Sequence, residues 1–376
     1  MRLVASLPAG RPFIGVLLIA ALLATGCTGP LRRPGTAPPE PAVTTAPDTA
    51  PAVRTVAAPW QEGMKEYGIN VYWENSPADD DEVVRAKAAR ILDYVVGLDA
   101  NAVALSFPIY TTGITSTVLR TGRATPSPRR VEIAVEEAVR RDLRVSVRPI
   151  LNEKVLVRDN PKAWRGTIAP GSRTAWFDNY RELLMPYVRA AAGATTVVVA
   201  TELNSLEGDR RWAEVISSIR RDFDGEVAYS ANYDSFQRGP VRVPADTVGV
   251  DAYIPMELGD DAGVERIAAG WSRWLERHGD DGPPVLHEVG IAAQDGAYRR
   301  PGHWGDGSRP LNLKVQQRWY DGICRAMHDG GAAGVYWWKV DFDADPATAG
   351  RDSPDRLTFI GRPVEESIRR CFAPPA

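Results

Sequence analysis

The sequence has few of the residues that build metal centres and no surplus of positive charge. Its 376 residues include three cysteines and four histidines, without a Cys-x-x-Cys pair, so a zinc framework is not expected. The formal net charge is −3, and nothing in it indicates nucleic acid as a partner. No Gly-x-Gly-x-x-Gly follows the first predicted strand and no Gly-x-Ser-x-Gly occurs, which argues against a dinucleotide fold and against acyl transfer.

Long apolar runs are also scarce, since only residues 13–24 form one. This run follows Arg2 and Arg11 and is too short to cross a membrane comfortably as a permanent helix, so residues 1–27 are predicted to be an export signal. The run ends in Ala24-Thr25-Gly26-Cys27, which resembles a bacterial lipobox. The resemblance implies that Cys27 is lipidated and becomes the mature N-terminus. An ordinary secretory signal with an incidental cysteine is the alternative.

Residues 28–59 are rich in proline, alanine and threonine and hold eight of the 30 prolines. Such a stretch has too few large apolar side chains to offset its chain entropy, so it is predicted to be an extended tether. The folded part is then expected to comprise residues 60–376. It would lie just outside the membrane, anchored through Cys27, or be secreted if the lipobox is not used.

The folded part alternates short β-branched runs with helical patterns, which is typical of βα units in a parallel sheet. Between the fifth and sixth runs the helical pattern is poorest, and a final helix is predicted at residues 363–371. Eight such units favour an α/β fold with a single (β/α)₈ TIM barrel over an open doubly wound sheet. The predicted strands are residues 68–73, 102–110, 144–151, 195–203, 226–232, 247–253, 284–290 and 334–340.

Two glutamates stand at the carboxyl ends of predicted strands, where barrels of this kind carry their chemistry. Glu202 ends strand four and Glu288 ends strand seven, each after an apolar run in which an unpaired carboxylate would be costly. Two facing carboxyl groups suit glycosidic bond cleavage, because one protonates the leaving group while the other attacks the anomeric carbon. Either glutamate alone fits a salt-bridged surface acid equally well, whereas the pair is more specific.

Four short motifs contain or accompany these glutamates. They are Ala200-Thr201-Glu202-Leu203, His287-Glu288-Val289-Gly290, Val250-Asp251-Ala252-Tyr253 and Tyr336-Trp337-Trp338. Together they resemble glycoside hydrolase family 113, in the clan of retaining (β/α)₈ enzymes with the acid/base at strand four and the nucleophile at strand seven. The family is known for endo-β-1,4-mannanases. The resemblance therefore implies a β-mannanase-type glycosidase with Glu202 as general acid/base and Glu288 as nucleophile.

One residue departs from the pattern of the clan. Much of the clan has asparagine before the acid/base, where it bonds the sugar 2-hydroxyl, but this chain has Thr201. Threonine donates one hydrogen bond and cannot supply the pair of an amide, which leaves the sugar preference at the reactive subsite open. Thr201 also favours the alternative function, a non-catalytic glycan-binding or envelope-assembly lipoprotein on the same scaffold.

Other predicted strand ends carry groups that suit a sugar. Tyr253 is expected to hydrogen-bond the nucleophile carboxylate and keep it ionised, or else to pack as an ordinary tyrosine. Asn232 offers a donor and an acceptor to hydroxyl groups, although the same residue is common in turns. Arg148 on strand three would bind substrate or hold Glu202 in place, or alternatively pair with Glu153.

The sequence is rich in tryptophan, with 11 residues, which indicates an aromatic core or a carbohydrate-binding surface. Trp337 and Trp338 end strand eight and are both candidate substrate-binding residues, although strand alternation points only one of them inward, where it would form the floor under the reactive sugar. Trp73, Trp164 and Trp304 fall in or near predicted loops, where an exposed indole can stack on a pyranose ring. Those in helical patterns are expected in the core: Trp176, Trp212, Trp271, Trp274 and Trp319.

Cys324 and Cys371 lie on the last two predicted helices, which are neighbours in a barrel, and are predicted to form a disulfide, with two buried thiols as the alternative. The acidic run at residues 341–345 has Pro346 where a calcium loop needs glycine, so no metal or cofactor is expected. His287 is expected to face away from the neighbouring glutamate. The expected partners are a carbohydrate substrate and, through the lipid, a membrane; the protein is expected to be a monomer.

Overall fold

The computed structural model describes residues 53–278, 282–305, 307–350 and 353–373, so the export signal, Cys27 and most of the predicted tether lie outside them. The described chain confirms the single (β/α)₈ barrel. Its eight parallel strands pair in the order β1-β8-β7-β6-β5-β4-β3-β2, and β1 also pairs with β2, which closes the sheet. The strands are β1 Glu66–Tyr72, β2 Ala102–Thr111, β3 Arg144–Leu151, β4 Thr196–Thr201, β5 Glu226–Asn232, β6 Thr247–Asp251, β7 Val285–Val289 and β8 Gly334–Asp341.

Helices surround the barrel. The connection between β5 and β6, where the sequence has its poorest helical pattern, contains only a four-residue helix. A two-residue strand, Leu119–Arg120, pairs with the end of β2. No helix in the described part of the chain has the length and apolar character needed to cross a membrane. The helices are α1 Asp81–Val96, α2 Pro128–Val139, α3 Lys154–Asp159, α4 Arg173–Ala190, α5 Trp212–Asp222, α6 Tyr233–Phe236, α7 Val264–His278, α8 Leu313–Ala326 and α9 Val364–Phe372.

Local chemistry explains where several helices begin. The side chains of Asp80, Ser127 and Ser172 accept hydrogen bonds from backbone N–H groups in the first turns of α1, α2 and α4. The inner helix faces pack on the outward side chains of the strands and form one hydrophobic core. The five tryptophans expected in the core are buried on these helices, as predicted.

The folded domain starts earlier than the predicted boundary at residue 60. Val56 is buried, and its N–H donates to the carbonyl of Arg141 at 3.1 Å. The ring of Trp60 lies 4.2 Å from the guanidinium of Arg144, the first residue of β3. The last residues of the predicted tether therefore pack at the amino-terminal end of the barrel, opposite the strand ends that carry the two glutamates.

Three strands, β4, β7 and β8, carry an extra residue near their carboxyl ends, and in β8 it lies where the register against β1 shifts between Trp337 and Val340. The register of β4 against β5 shifts between Val198 and Ala200, and the register of β7 against β8 shifts between Leu286 and Val289. In β7 the shift places both His287 and Glu288 inside the barrel, so the prediction that His287 faces away from the glutamate was wrong.

Glycine provides the room for the His287 ring. A Cβ at Gly249 on β6 would lie 2.3 Å from the imidazole, closer than any real side chain allows. The ring instead fits against β6, and its Nδ1 lies 2.7 Å from the hydroxyl of Ser230 on β5. Burial lowers the pKa of His287 to about 3, so the ring is neutral.

The predicted disulfide between Cys324 and Cys371 is present. It joins α8 to α9 with a Cα–Cα distance of 5.6 Å. The last helix is thereby held covalently to its neighbour.

Candidate active site

Glu288 lies near the end of β7 and is almost fully buried. The hydroxyl of Tyr253 donates to its Oε2 at 2.7 Å, the contact predicted from the sequence. Tyr253 follows the last residue of β6, Asp251, by two positions, because β6 is shorter than expected. A guanidinium nitrogen of Arg148 lies 2.7 Å from the other carboxylate oxygen, Oε1. A cation and a phenol thus contact the two oxygens of this carboxyl group and fix its orientation.

Arg148 does not bind Glu202 or Glu153, as had been considered, and its burial corrects the expectation that it contacts substrate. Only 1% of its side chain is exposed. Its Nη2 also donates to Asp251 Oδ2 at 2.7 Å, and its Nε donates to the hydroxyl of Thr201 at 3.1 Å. Its side chain therefore ties the ends of β4, β6 and β7 together beneath the mouth of the barrel.

Glu202 immediately follows β4 and has a positive φ of 53°, an uncommon backbone conformation for a residue with a side chain. Its Oε2 accepts from Arg165 Nη1 at 2.7 Å, and its Oε1 accepts from Asn232 Nδ2 at 2.5 Å. The oxygen of the Asn232 amide accepts from the N–H of Asp234 at 3.0 Å. Asn232, predicted to bind sugar hydroxyls, is thus positioned to orient Glu202.

Burial and neighbouring charges raise the pKa of two carboxyl groups in this cluster. Three buried acids, Glu202, Glu288 and Asp251, share the two arginines Arg148 and Arg165. Burial raises the pKa of Glu202 to about 7, and the negative charge of Glu288 adds to this effect, while Arg165 opposes it. Burial also raises the pKa of Asp251 well above its usual value, against the effect of Arg148. A proton therefore stays within the cluster near neutral pH.

No metal site is apparent in the described ranges. Their one group of potential ligands, Cys324, His328 and Cys371, contains the two cysteines that form the disulfide. In the acidic run, Asp341 pairs with Lys339 and Asp343 pairs with Lys87.

The family model for glycoside hydrolase family 113 matches residues 76–355. The chain belongs to glycoside hydrolase family 113. No curated protein matches the sequence. Among solved structures, the chain is similar to the family 113 β-mannanase AaManA of Alicyclobacillus acidocaldarius, with 21% identity, a TM-score of 0.66 and coverage of 83% of this chain and 98% of that one. A family 113 β-1,4-mannanase with 19% identity has a TM-score of 0.68 and coverage of 82% and 98%.

A more distant similarity is to GH5_18 from Streptomyces cattleya in complex with Manβ1-4GlcNAc. Its identity is 14% and its TM-score 0.52, with coverage of 82% of this chain and 80% of that one. Identities this low show the shared barrel alone. It is the family model that establishes the chain as a glycoside hydrolase.

In this family 113 enzyme the strand-eight tryptophans point to opposite sides, as alternation predicted. Trp337 is fully buried and stacks on Tyr320 of α8, with ring centroids 4.2 Å apart, so its assignment to the substrate site was wrong. Trp338 points into the barrel near its mouth, where it is 2% exposed and packs against Tyr72 at a centroid distance of 5.6 Å. Trp304 approaches Trp338 at 6.3 Å, and it is 52% exposed.

Trp73 does not present a face to a sugar, contrary to expectation. It is 2% exposed and stacks on Phe342 at 4.0 Å, in the hydrophobic core. The reason is strand alternation, since Tyr72 packs with the mouth residue Trp338 and its neighbour then points outward.

The sequence interpretation missed two site residues of this family 113 enzyme, Arg165 and Asp251. Arg165 belongs to a short 3₁₀ helix in the long loop after β3, which carries no periodic signal. Asp251 ends β6, and the rule that strand ends carry the chemistry would have found it. Thr201 is buried and its hydroxyl accepts from Arg148, so its contact with the sugar stays a prediction.

Proposed function

We propose that this family 113 glycoside hydrolase cleaves β-1,4-mannan or related β-linked oligosaccharides by double displacement, with Glu202 as general acid/base and Glu288 as nucleophile. One observation carries the proposal. Two buried carboxyl groups at the carboxyl ends of β4 and β7 lie in opposite environments, because Glu288 is held by a cation and a phenol while burial raises the pKa of Glu202 to about 7. The mannan substrate is supported by the β-mannanases of the same family that share the fold.

In the first step, the carboxylate of Glu288 attacks the anomeric carbon and Glu202 transfers its proton to the glycosidic oxygen. The bond between the anomeric carbon and the glycosidic oxygen breaks, the leaving sugar departs as an alcohol, and a glycosyl ester forms on Glu288. Arg148 and Tyr253 orient the attacking carboxylate. Asn232 and Arg165 orient the proton donor.

In the second step, Glu202 removes a proton from water, which attacks the anomeric carbon and releases Glu288. The ester on Glu288 is neutral, so the negative charge that adds to burial in raising the pKa of Glu202 is gone, and Glu202 ionises more readily to act as the base. Two inversions at the same carbon give retention of configuration.

The aromatic side chains at the mouth indicate how the sugar chain lies. Glu202 follows β4, so the leaving group lies on that side, while Trp338 lies on the opposite strand, β8. Trp338 would form the floor under the reactive sugar, and the exposed ring of Trp304 beside it would stack on the next sugar toward the non-reducing end.

The test uses the soluble chain from residue 28 onward, which contains the whole folded domain. We expect it to release reducing ends from β-1,4-mannan, with cellulose and xylan as comparison substrates. Proton NMR during the first minutes should show the β-anomer of the product before mutarotation. Early release of the α-anomer would contradict retention, and no hydrolysis of any β-glycan would contradict the proposed function in favour of a glycan-binding protein.

We also propose that the enzyme is exported and anchored to the membrane through a lipid on Cys27. The apolar run, the lipobox-like residues and the proline-rich stretch support this, and the packing of Val56 and Trp60 brings the chain in from the end of the barrel opposite the glutamates. Radiolabelled palmitate should label the full chain in a bacterial host, and Cys27→Ser should abolish both labelling and membrane fractionation. Unlabelled wild-type protein in the medium would contradict the anchor.

A further inference from the structure

We propose that Arg165 is a positioning residue for the acid/base: it orients the Glu202 carboxyl group and stabilises its ionised form, and Glu153 moderates that contact. The inference rests on the proposed role of Glu202. It assigns a function to a loop residue that lies outside the barrel strands.

The side chain of Arg165 is held at several points. Its Nη1 donates to Glu202 Oε2 at 2.7 Å, and its Nε donates to the carbonyl of Leu151, the last residue of β3, at 3.0 Å. Glu153 Oε1 lies 3.2 Å from the same Nε and also accepts from the backbone N–H of Arg165 at 3.1 Å. Only 11% of the Arg165 side chain is exposed. A guanidinium anchored to a strand end in this way has a fixed direction toward Glu202.

The loop itself is closely packed. The backbone N–H of Trp164 donates to the hydroxyl of Thr167 at 3.1 Å, and that hydroxyl donates to the carbonyl of Trp164 at 2.9 Å. The Trp164 ring covers Gly166, where a Cβ would lie 2.3 Å from it. The contacts within the loop therefore fix the position of Arg165.

Arg165 is the cation in direct contact with Glu202 in the described part of the chain. Asn232 on β5 donates to the carboxylate, and the acids Glu288 on β7 and Asp251 on β6 face it across the barrel. Arg148 on β3 is paired with those two acids.

The phenols of Tyr229 on β5 and Tyr233 on α6 also lie within electrostatic range of Glu202, and Tyr253 donates to Glu288. Glu153 supplies the further negative charge behind Arg165. The charges that act on Glu202 are thus mainly the positive charge of Arg165 and the negative charges of Glu288 and Glu153.

This contact affects the two half-reactions in opposite ways. A cation at 2.7 Å favours the carboxylate, so Glu202 becomes a stronger acid for departure of the leaving group and a weaker base toward water. Glu153 acts in the opposite direction, because it shares the charge of Arg165. Substitution of the two residues should therefore move the ionisation of Glu202 in opposite directions.

The test compares Arg165→Met, Arg165→Lys and Glu153→Gln with the wild type. On an unactivated oligosaccharide we expect the alkaline limb of kcat/KM to move up by about 1 pH unit in Arg165→Met and to move down in Glu153→Gln. A shift of about 1 pH unit is at the smaller end of the range that a neighbouring charge produces. Arg165→Lys keeps the charge and should largely restore the wild-type limb. Arg189→Met, which removes an exposed ion pair to Asp222, is the control and should leave the profile unchanged.

A dinitrophenyl glycoside separates this role from a structural one, because its leaving group needs no proton. On that substrate we expect kcat/KM of Arg165→Met to stay within about threefold of wild type, whereas it falls at least tenfold on the oligosaccharide near neutral pH. Equal losses on both substrates with an unmoved alkaline limb would overturn the proposal.

A second measurement needs no substrate. Infrared difference spectra between each variant and its Glu202→Gln counterpart report the ionisation of Glu202 directly, and we expect the same opposite shifts. Absence of those shifts would overturn the proposal even if hydrolysis is confirmed. Opposite shifts in a chain that hydrolyses no glycan would uphold the contact and refute only the catalytic assignment. If Arg165→Met fails to fold, Arg165→Lys and Glu153→Gln carry the comparison.

Discussion

The Nη2 atom of Arg148 and the Oε1 atom of Glu288 lie 2.7 Å apart, with no more than 5% of either side chain exposed. Removing one partner from such a pair leaves an uncompensated buried charge, which is strongly destabilising. A test of Glu288 should therefore keep the shape and hydrogen bonding of the side chain.

Glu288→Gln keeps the shape of the side chain and one acceptor oxygen, which can face either Tyr253 or Arg148, and Arg148 stays paired with Asp251. We expect turnover on β-1,4-mannan to fall below detection, while circular dichroism and binding of mannooligosaccharide by calorimetry persist. Near-wild-type hydrolysis by this variant would show that another residue is the nucleophile.

Azide adds a stereochemical control that separates the roles of the two glutamates. In Glu288→Ala, azide restores a negative charge in the space beside Arg148, and with an activated aryl glycoside it should form the α-glycosyl azide, because it replaces the nucleophile in a single inversion. Glu202→Ala should form the β-azide, because azide attacks the glycosyl ester after a first inversion. Exchange of these two products would reverse the assignment.

Tyr253→Phe removes the phenol that donates to Glu288 Oε2 at 2.7 Å. A hydrogen bond to a charged group contributes about 1.5–3 kcal/mol, so we expect kcat/KM to fall about 10- to 100-fold. The measurement is steady-state kinetics on one oligosaccharide, with melting temperature as the control for folding. A loss below twofold would mean that the phenol does not contribute to the orientation of the nucleophile.

The ionisation of Glu202 makes activity and stability depend on pH. Its pKa of about 7 lies above the usual value of 4.5, so the acid form is lost as the pH rises through 7, and kcat/KM should decline there. The same raised pKa means that the stability contributed by the neutral carboxyl group is present below pH 4.5 and lost as the pH rises to 7.

The variant Glu202→Gln cannot ionise and should escape this loss. We compare the free energy of unfolding of Glu202→Gln with that of the wild type at each pH. The difference in favour of the variant should be larger at pH 8 than at pH 4.5, by up to about 3 kcal/mol. Urea unfolding at both pH values measures it. An unchanged difference between the two proteins would show that Glu202 ionises normally in the folded state.

Local periodicity predicted much of this site. Alternation separated Trp337 from Trp338, because a period of two residues survives in short strands. The rule that strand ends carry the chemistry predicted the contact of Tyr253 with Glu288. Alternation, counted outward from Tyr72, would have placed Trp73 in the core.

The remaining features depend on tertiary structure. His287 lies inside the barrel because β7 carries an extra residue, and a single sequence does not show where register shifts. Arg165 reaches Glu202 from a loop whose path is set by contacts with Leu151 and Glu153, which no local pattern reveals.

The disulfide between Cys324 and Cys371 closes a loop of 47 residues. Chain-entropy arguments give a stabilisation of about 4 kcal/mol for such a loop, and measured values fall between about 2 and 4. We expect the double variant with alanine at both positions to melt at a lower temperature with unchanged kcat, because the bridge joins α8 to α9 away from the glutamates. Dithiothreitol should lower the melting temperature of the wild type but not of the variant; an equal effect on both would show that the bridge does not form.

Trp304 should matter only for substrates long enough to reach it. Its ring is 52% exposed and lies 6.3 Å from Trp338, on the side of the barrel opposite Glu202. Stacking of an aromatic ring on a sugar is an apolar contact, and loss of one such contact of about 1–2 kcal/mol corresponds to roughly 5- to 30-fold in kcat/KM.

We expect Trp304→Ala to lose this factor on an aryl β-mannobioside and to retain wild-type kcat/KM on the aryl β-mannoside, which occupies the reactive subsite alone. Val139→Ala, which shortens an exposed apolar side chain at the end of α2, at the face of the barrel opposite the glutamates, is the matched control. Equal losses on the mannoside and the mannobioside would place Trp304 at the reactive sugar itself, and no loss on either would remove it from the substrate path.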